Sequence, residues 1–592
     1  MDSVEHVATH LAAALAMAAT GDLFGLEWVL LLATWLAARK CRRFGEGWFA
    51  RLEAMGTRFA ERKVAAPVAL AFSVILVRAA MLPVHPIPHP VVADEFSHLL
   101  LADTLAHGRL ANPPHAHWRS FESLHVIPQP TYSSMYFPGP ALLLWLGQVT
   151  TGEPWWGLLT GMGALCGLVC WALQAWFPAR WALLGGILTA LHIGLLSYWV
   201  DSYWGGTFAA LGSALVFGSL ARLMKQRKAG WPATGLSLAM AVGVGMLANS
   251  RPYEGLVLCV PVAGWLAWWL FKGRGLAARL IRCALPMAVM LVLIGAGMGL
   301  YLKAVTGNPL KLPYAVNQER YGWPLTLKWT KAVTVEHDRP EFAAYYQYEV
   351  EQRGHFDSVA QFVGSLVSRL QADWRLFVGP ALTIPCLFLP VVWRKRRLRF
   401  PMVAGAVAIA GVCAIPHFPH YMSPAFIPIT AVWVESYRHL RQGHGERRQL
   451  GLRLSRAIPL ILLAMVGLRV AAGPLHLMAL TFGGYTSWCC SNPGTIHQSW
   501  VERQLPPGRH LLLVRYQADH KWMNDWVHNQ ADIDGARVAW ARELGGEADA
   551  KLIRYFKDRR VWLVEPDIVP PRLTPYSEPH HLRSHRDDQG DQ

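Results

Sequence analysis

An acidic pair, Asp94 and Glu95, follows the apolar segment 65–83 by about ten residues. From Asp94 onward, apolar residues recur with helical spacing as far as Gly108, a residue type that often ends helices. A carboxylate at the start of such a helix can accept a proton from an incoming hydroxyl group. Aspartate is also a common helix cap with no role in chemistry. The spacing leaves both roles open.

A second candidate group lies where an apolar segment begins. Arg251 is followed closely by Tyr253 and Glu254. The guanidinium group is always charged and presents a fork of donors, which suits a phosphate. Arg251 can equally extend toward the membrane surface and pair with Glu254. The pattern therefore predicts either a phosphate ligand or a surface ion pair.

Two further short segments carry polar and aromatic side chains at segment ends. His417, His420 and Tyr421 close one turn, and they could hold phosphate, stack on a sugar or simply pack at the interface. Asp201 begins another turn with two aromatic residues, which an aromatic belt at the membrane surface would also explain.

Histidines are frequent between residues 85 and 125, which raises the question of a metal site. Zinc sites use Cys or His at fixed spacings with a supporting carboxylate. Only His115 and His117 approach such a spacing. We therefore predict no bound metal and no cofactor, with a divalent metal as the alternative.

The elements that carry these residues are predicted to be membrane helices. Hydrophobic residues make up 53% of the 592 residues and charged residues 16%, and the mean hydropathy is +0.23. Crossing the hydrocarbon core takes roughly 20 apolar residues. Candidate spans are 22–38, 65–83, 155–176, 182–200, 207–221, 232–248, 256–271, 283–301, 374–392, 400–416, 425–437 and 457–472, with 7–20 as a weaker one and 138–150 as a surface helix. The predicted fold is mainly α, a polytopic bundle of about 11–13 spans with a small C-terminal extracytoplasmic α/β domain.

The formal charge of +17 raises the possibility of nucleic-acid binding, but its distribution argues against it. Five segments hold 27 of the 56 Lys and Arg residues and only 4 acidic residues. They alternate with apolar stretches, as the positive-inside rule predicts for cytoplasmic loops. The segments are 39–63, 222–228, 272–282, 394–399 and 438–456. This topology places all the candidate residues on the outer side, and no nucleic-acid partner is expected.

Four units follow from this topology. The predicted boundaries are 1–63 for an anchor and basic loop, 64–472 for the transmembrane catalytic domain, 473–573 for a periplasmic α/β domain and 574–592 for a disordered tail. Two large outer loops, 84–154 and 302–373, belong to the transmembrane domain. Within the α/β domain, strands are expected at 510–516, 538–540 and 561–564 with a helix at 546–558, which favours a short parallel sheet.

Asp94 and Glu95 after an early outward-going helix, and Tyr136-Phe137-Pro138-Gly139 near the end of the first outer loop, carry a resemblance to a known family. In these features the chain resembles the GT-C superfamily of membrane glycosyltransferases. The closer likeness is to the bacterial family-39-like group that includes protein mannosyltransferases and the aminoarabinose transferase of lipid A. The resemblance covers roughly 65–472. One departure is Phe137, which stands where the family usually has a second proline.

The resemblance implies a bacterial inner-membrane enzyme that moves a sugar from a polyprenyl-phosphate donor to an acceptor on the outer face, with inversion. Asp94 would be the general base and Glu95 its companion. Arg251, with His417 or His420, would neutralise the leaving phosphate. The remaining candidates for donor binding are Tyr136, Asp201, Tyr253, Glu254 and Tyr421. The acceptor would be a glycan, a lipid or a protein, and membrane lipids surround the bundle.

Three alternatives remain open at this point. A glycan polymerase or ligase would use a lipid diphosphate donor and outer Arg and His residues. A lipid-glycan transporter would explain the spans, but not the large outer loops or the appended domain. A non-catalytic assembly protein would use the outer domain to bind a partner, and the Asp94 carboxylate would then be dispensable.

Overall fold

The fold is described from a computed structural model of the chain. The described residues are 23–40, 46–226, 230–272, 275–322, 333, 335–353, 359–415, 418–442, 445–472, 474–475, 486, 488 and 498–576. The possible span 7–20, the neighbouring cysteines 489–490 and residues 577–592 of the predicted tail lie outside them.

Most of the described chain is helical. The helices are α1 Leu23–Lys40, α2 Glu46–Ala60, α3 Ala65–Ala80, α4 Ala93–Ala106, α5 Pro138–Thr151, α6 Pro154–Gln174, α7 Ala179–Thr189, α8 Thr207–Lys225, α9 Trp231–Ala248, α10 Pro252–Lys272, α11 Leu276–Arg279, α12 Leu285–Thr306, α13 Pro313–Tyr321, α14 Pro340–Arg353, α15 Val359–Phe377, α16 Gly379–Cys386, α17 Leu389–Trp393, α18 Arg399–Val412, α19 Phe426–Leu440, α20 Gly445–Ala472, α21 Gln498–Glu502 and α22 Gly546–Tyr555. Short 3₁₀ turns occur at Trp118–Phe121, Arg396–Leu398, Pro419–Ala425 and Trp522–Asn524, and π turns at Ala190–Gly194 and Leu280–Ala284.

Six helical segments within the described residues are long and apolar enough to cross a membrane. They are α6, α8, α9, α10, the run from α11 through α12, and α20. The pair α2 and α3, bent by 114°, passes the same test if it is taken together. The chain is therefore a multi-pass membrane protein with a mainly helical fold.

Several other predicted spans consist of shorter helices. The predicted span 374–392 contains the end of α15, then α16 and α17, with Pro385 inside α16. Proline removes a backbone donor and collides with the preceding turn, so such breaks are expected. The predicted span 182–200 begins in α7 and passes through the π turn into non-helical backbone.

Basic segments that are far apart in sequence meet through shared carboxylates. Glu53 of α2 accepts hydrogen bonds from Arg441 (3.1 Å) and Arg456 (2.9 Å). Glu435 of α19 pairs with both Arg397 and Arg438. Three of the five basic segments therefore lie close together, as the predicted topology requires.

The small sheet near the C-terminus has the predicted parallel core. Its strands are β3 His510–Val514, β4 Val538–Arg542, β5 Arg560–Glu565 and β6 Arg572–Pro575, in the order β4-β3-β5-β6. The pairs β3–β4 and β3–β5 are parallel, and β6 adds an antiparallel edge. Because β6 includes Thr574 and Pro575, the sheet extends past the predicted boundary at 573. A two-stranded ribbon in the first outer loop supplies β1 Val126–Ile127 and β2 Ser133–Ser134.

One face of this sheet packs on the first outer loop. Side chains alternate between the two faces of a strand. Leu511 and Leu513 share a buried cluster with Leu100, Phe121 and other residues of the first outer loop. Leu512 and Val514, on the opposite face, pack within the C-terminal unit itself. The sheet and the first outer loop therefore share one hydrophobic core, and the C-terminal unit is fixed to the loop that carries Asp94.

Candidate active site

One cavity of about 200 Å³ collects residues from every predicted outer loop. Its wall includes Asp94 and Tyr136 from the first loop, Arg251 from the turn before α10, Tyr345 from α14 and Trp522 from the C-terminal unit. The topology inferred from the basic segments placed these loops on one side of the bundle. The structure confirms that they lie together.

The Asp94 carboxylate lies at the centre of a hydrogen-bonded cluster. Tyr136 Oη donates to Asp94 Oδ1, and His125 Nδ1 lies 3.4 Å from Asp94 Oδ2. The Asp94 side chain is 19% exposed. Burial alone would raise the pKa of Asp94, but the nearby His125 and the hydrogen bond from Tyr136 outweigh it, so the pKa lies below its ordinary value. At neutral pH Asp94 is therefore an ionised, oriented proton acceptor.

His125 joins Asp94 to the second outer loop. Its Nδ1 is 3.0 Å from Tyr136 Oη, and its Nε2 contacts Tyr345 Oη. Because the Tyr136 proton is directed at Asp94, Nδ1–H of His125 donates to the phenol oxygen. The backbone of His125 has φ of 62°, in the left-handed region that costs energy for most residues. The surrounding contacts hold this conformation, and it directs the ring between Asp94 and Tyr345.

The His98 imidazole lines the same cavity. It is one helical turn after Asp94, is 6% exposed and stacks on Tyr136 with ring centroids 4.5 Å apart. Its buried Nδ1 has no hydrogen-bond partner in the described part of the chain. Burial lowers the pKa of His98 to about 4, despite the nearby Asp94 carboxylate. His98 is therefore a neutral imidazole at neutral pH, and a buried Nδ1 that no described residue pairs is unusual, because buried polar groups are normally paired.

Arg251 supplies positive charge to the cavity. Its guanidinium carbon lies 4.1 Å from the centre of the Tyr421 ring, and its Nη1 is 3.8 Å from Glu254 Oε1. The Arg251 side chain is 22% exposed. Among the described residues that line the cavity, it is the only Lys or Arg. The site therefore offers a single permanent cation, held against an aromatic ring.

Close backbone contact brings the Tyr136 segment to the Arg251 turn. Gly139 N donates to Asn249 O at 2.9 Å. A Cβ atom at Gly139 would lie 2.4 Å from that same oxygen, so a larger residue would push the two segments apart. Tyr301 Oη donates to the Tyr136 carbonyl at 2.9 Å, which holds the segment from the other side.

Glu95 does not line the cavity with its neighbour Asp94. Its Oε2 accepts from Val91 N at 2.7 Å and Val92 N at 3.0 Å, and its Oε1 accepts from Tyr203 N at 2.9 Å. Burial raises the pKa of Glu95 to about 7. The structure therefore places Glu95 as a connector between the start of α4 and the turn before α8.

The other predicted donor-binding residues divide into two groups. Arg251, Tyr421 and Tyr136 line the cavity with Asp94. Asp201 does not line it, because it pairs with Arg78 and His85, each at 2.9 Å.

Three more candidates surround the cavity without lining it. Tyr253 donates to Gly411 O at 3.2 Å, and Glu254 is buried beside Arg251. His420 is fully buried, with its Nδ1 3.0 Å from Tyr198 Oη. His417 lies outside the described residues.

His115 and His117 contact each other, and His115 also contacts the C-terminal unit. His115 Nδ1 accepts from His117 N at 2.9 Å, and His115 Nε2 contacts Asp534 at 3.2 Å. No group of three or more His, Cys, Asp or Glu side chains in the described ranges is arranged to hold a metal ion.

The sequence did not single out several side chains that line the cavity. His98 had a usable signal, because it follows Asp94 at the i, i+4 spacing that places both on one face of a helix. His125, Tyr345 and His528 come from three separate loops, and no local spacing marks them. His528 stacks on Phe96 with ring centroids 3.6 Å apart.

No protein-family model and no curated protein matches the chain. Among solved structures, the chain is similar to the oligosaccharyltransferase of Archaeoglobus fulgidus at 12% identity and a TM-score of 0.40, over 83% of this chain and 67% of that one. That protein was crystallised with Zn and sulfate. The chain is also similar to ArnT from Cupriavidus metallidurans, at 12% identity and a TM-score of 0.40, over 84% of this chain and 92% of that one.

Proposed function

We propose that the chain is an inverting membrane glycosyltransferase that takes its sugar from a polyprenyl-phosphate donor and acts on the outer face of a bacterial cytoplasmic membrane. One observation carries this proposal: the ionised carboxylate of Asp94 and the guanidinium group of Arg251 line a single cavity. That cavity is built from the ends of apolar helices, where a lipid-linked donor can reach it.

In the proposed reaction, Asp94 is the general base. An acceptor hydroxyl oxygen attacks the anomeric carbon of the donor from the face opposite the phosphate, and its proton passes to Asp94. The new carbon–oxygen bond forms as the bond between the anomeric carbon and the phosphate oxygen breaks. The anomeric centre is inverted and the lipid phosphate leaves.

Arg251 is proposed to stabilise the leaving phosphate. Negative charge grows on the phosphate oxygens as the glycosidic bond breaks, and a fixed cation stabilises such charge most in a site that excludes water. Tyr421 holds the guanidinium group in place.

The charge of the cavity favours a monophosphate donor over the diphosphate donor of a polymerase or ligase. A diphosphate carries more negative charge, and Arg251 is the only Lys or Arg among the described lining residues.

The test is to incubate the purified full-length protein with a panel of polyprenyl-phosphate sugars and to measure release of free polyprenyl phosphate. We expect release from at least one monophosphate donor and slower release from the matching diphosphate. Release from no member of the panel, or release from diphosphate donors alone, would refute the proposed donor class.

A further inference from the structure

The cavity continues beyond Asp94 to a second wall that the proposed donor chemistry leaves unused. Tyr314 interacts electrostatically with Arg251, and its ring centre lies 5.6 Å from that of Tyr136, which donates to Asp94. From there His125 leads to Tyr345 in α14, whose ring lies 4.9 Å from that of Trp522 in the C-terminal unit. Asp94 therefore lies between a cationic end and an aromatic end.

The aromatic end has the composition of a carbohydrate subsite. Its rings belong to Tyr345, Tyr348 and Trp522, and Trp522 makes an angle of 66° with Tyr345 and 42° with Tyr348. These rings form an angled surface rather than a closed stack, and Tyr348 is 39% exposed. The C–H faces of a sugar ring pack against aromatic rings of this kind, which bring a large apolar surface and a polar edge.

Hydrogen-bond acceptors border these rings. Glu349 and Asp525 line the cavity beside them. Asp525 Oδ1 accepts from Tyr516 Oη at 2.5 Å, Val527 N at 3.1 Å and Arg542 Nη2 at 3.2 Å. Its Oδ2, 3.4 Å from Arg542 Nη2, is the oxygen with capacity for a sugar hydroxyl. Carboxylate oxygens accept hydrogen bonds from hydroxyl groups, and each oxygen has two lone pairs.

We propose that Tyr345, Tyr348 and Trp522, together with Glu349 and Asp525, form an acceptor subsite for an uncharged carbohydrate. The proposal rests on the proposed function, since it names the acceptor of the same reaction. An anionic acceptor such as a phosphorylated lipid headgroup is disfavoured, because the described lining residues at this end include two carboxylates and no Lys or Arg. Arg542, behind Asp525, is already paired with Asp525 and Glu341. One hydroxyl of the bound sugar faces Asp94, loses its proton to that carboxylate and forms the new bond to the anomeric carbon.

The first measurement separates the acceptor from the donor. Water can replace the acceptor, so release of polyprenyl phosphate without acceptor reports on the donor half alone. With neutral oligosaccharides as acceptors, Trp522→Ala should raise the acceptor KM about tenfold or more, a larger factor than any change in this hydrolysis. Trp522→Phe, which keeps an aromatic face, should recover most of the loss. Tyr348→Ala should act like Trp522→Ala, whereas Tyr555→Ala, a similarly exposed tyrosine outside the cavity, should have no effect.

A second measurement does not depend on turnover. Saturation-transfer NMR with the full chain and no donor should detect binding of neutral oligosaccharides by wild type and loss of that binding in Trp522→Ala. Binding without any transfer would preserve the subsite and refute the proposed function. Lipid phosphate release with an acceptor KM unchanged in Trp522→Ala would refute the subsite and preserve the function. Preference for an anionic lipid acceptor over every neutral sugar would also refute the subsite.

Discussion

At the scale of single residues, the cavity separates two carboxylates that are neighbours in sequence. Asp94 faces the cavity and receives a proton donor from Tyr136, whereas Glu95 is occupied by three backbone amides. Residue type and position after a membrane helix were enough to select the pair. Residue type and position could not show that Asp94 faces the cavity and Glu95 does not, because one partner of Glu95 is Tyr203, more than a hundred residues away.

Removing the phenol of Tyr136 should make Asp94 a base only at higher pH. Burial raises the pKa of Asp94, and His125 and Tyr136 lower it below its ordinary value. Tyr136→Phe removes one of the lowering contacts, so Asp94 becomes protonated at a higher pH than in wild type. The acidic limb of the kcat/KM profile should move to higher pH, while the rate at neutral pH should change less than the rate on that limb. A limb that stays in place or moves to lower pH would contradict the assignment.

Arg251→Lys should weaken donor binding although it keeps the charge. The lysine ammonium is a compact point charge that lacks the planar fork of donors and stacks less well on Tyr421. The donor KM should rise about tenfold, with a smaller change in the acceptor KM. Arg509→Lys, an exposed arginine in the C-terminal unit, is the matched control. Equal behaviour of the two variants would count against a phosphate role for Arg251.

At the scale of elements, the site depends on how α5 meets the turn before α10. The helix at 138–151 follows from its apolar pattern, and its structure confirms the predicted helix at 138–150. Its contact with Asn249 was not predictable, because no local pattern reports which distant carbonyl a glycine will meet. The same holds for predicted spans such as 374–392, where proline marks a break but not the angle it produces.

Gly139→Ala should distort the site without removing any of its functional side chains. The added Cβ would lie 2.4 Å from Asn249 O, so the Tyr136 segment and the Arg251 turn must separate. We expect a loss of stability of about 1–3 kcal/mol and a higher donor KM. Gly235→Ala in α9 is the control, since nothing lies within 4 Å of its added Cβ. Thermal unfolding and donor kinetics of both variants should be compared with those of wild type. A Gly139→Ala variant with the stability and donor KM of wild type would contradict the proposed role of this contact.

At the scale of the whole molecule, the C-terminal unit is part of the site rather than an appended domain. Arg542 in β4 is buried and pairs with Asp525 in the same unit and with Glu341 of α14. The parallel strands and the following helix could be predicted from local patterns, since each needs only its own periodicity. Their docking on the first outer loop could not, because a third of the shared core comes from residues about 400 positions earlier.

Arg542→Met should loosen this docking. It leaves Asp525 and Glu341 buried without their cation, which typically costs about 3–5 kcal/mol. Hydrogen exchange should rise in α14 and in residues 522–528, and transfer to acceptor should fall more than donor hydrolysis. Arg572→Met removes an exposed pair with Glu565 and should change stability by less than about 1 kcal/mol. Similar exchange in the two variants would mean that the C-terminal unit is held by its apolar core alone.

The most direct test of the proposed base is Asp94→Asn, measured by single-turnover release of polyprenyl phosphate alongside donor binding. The amide keeps the size of the side chain but cannot take the acceptor proton, so the rate should fall about 10²–10⁴-fold while donor affinity and expression stay close to wild type. Glu319→Gln, an exposed carboxylate outside the cavity, should turn over normally. Turnover by Asp94→Asn close to that of wild type would contradict the assignment of Asp94 as the general base.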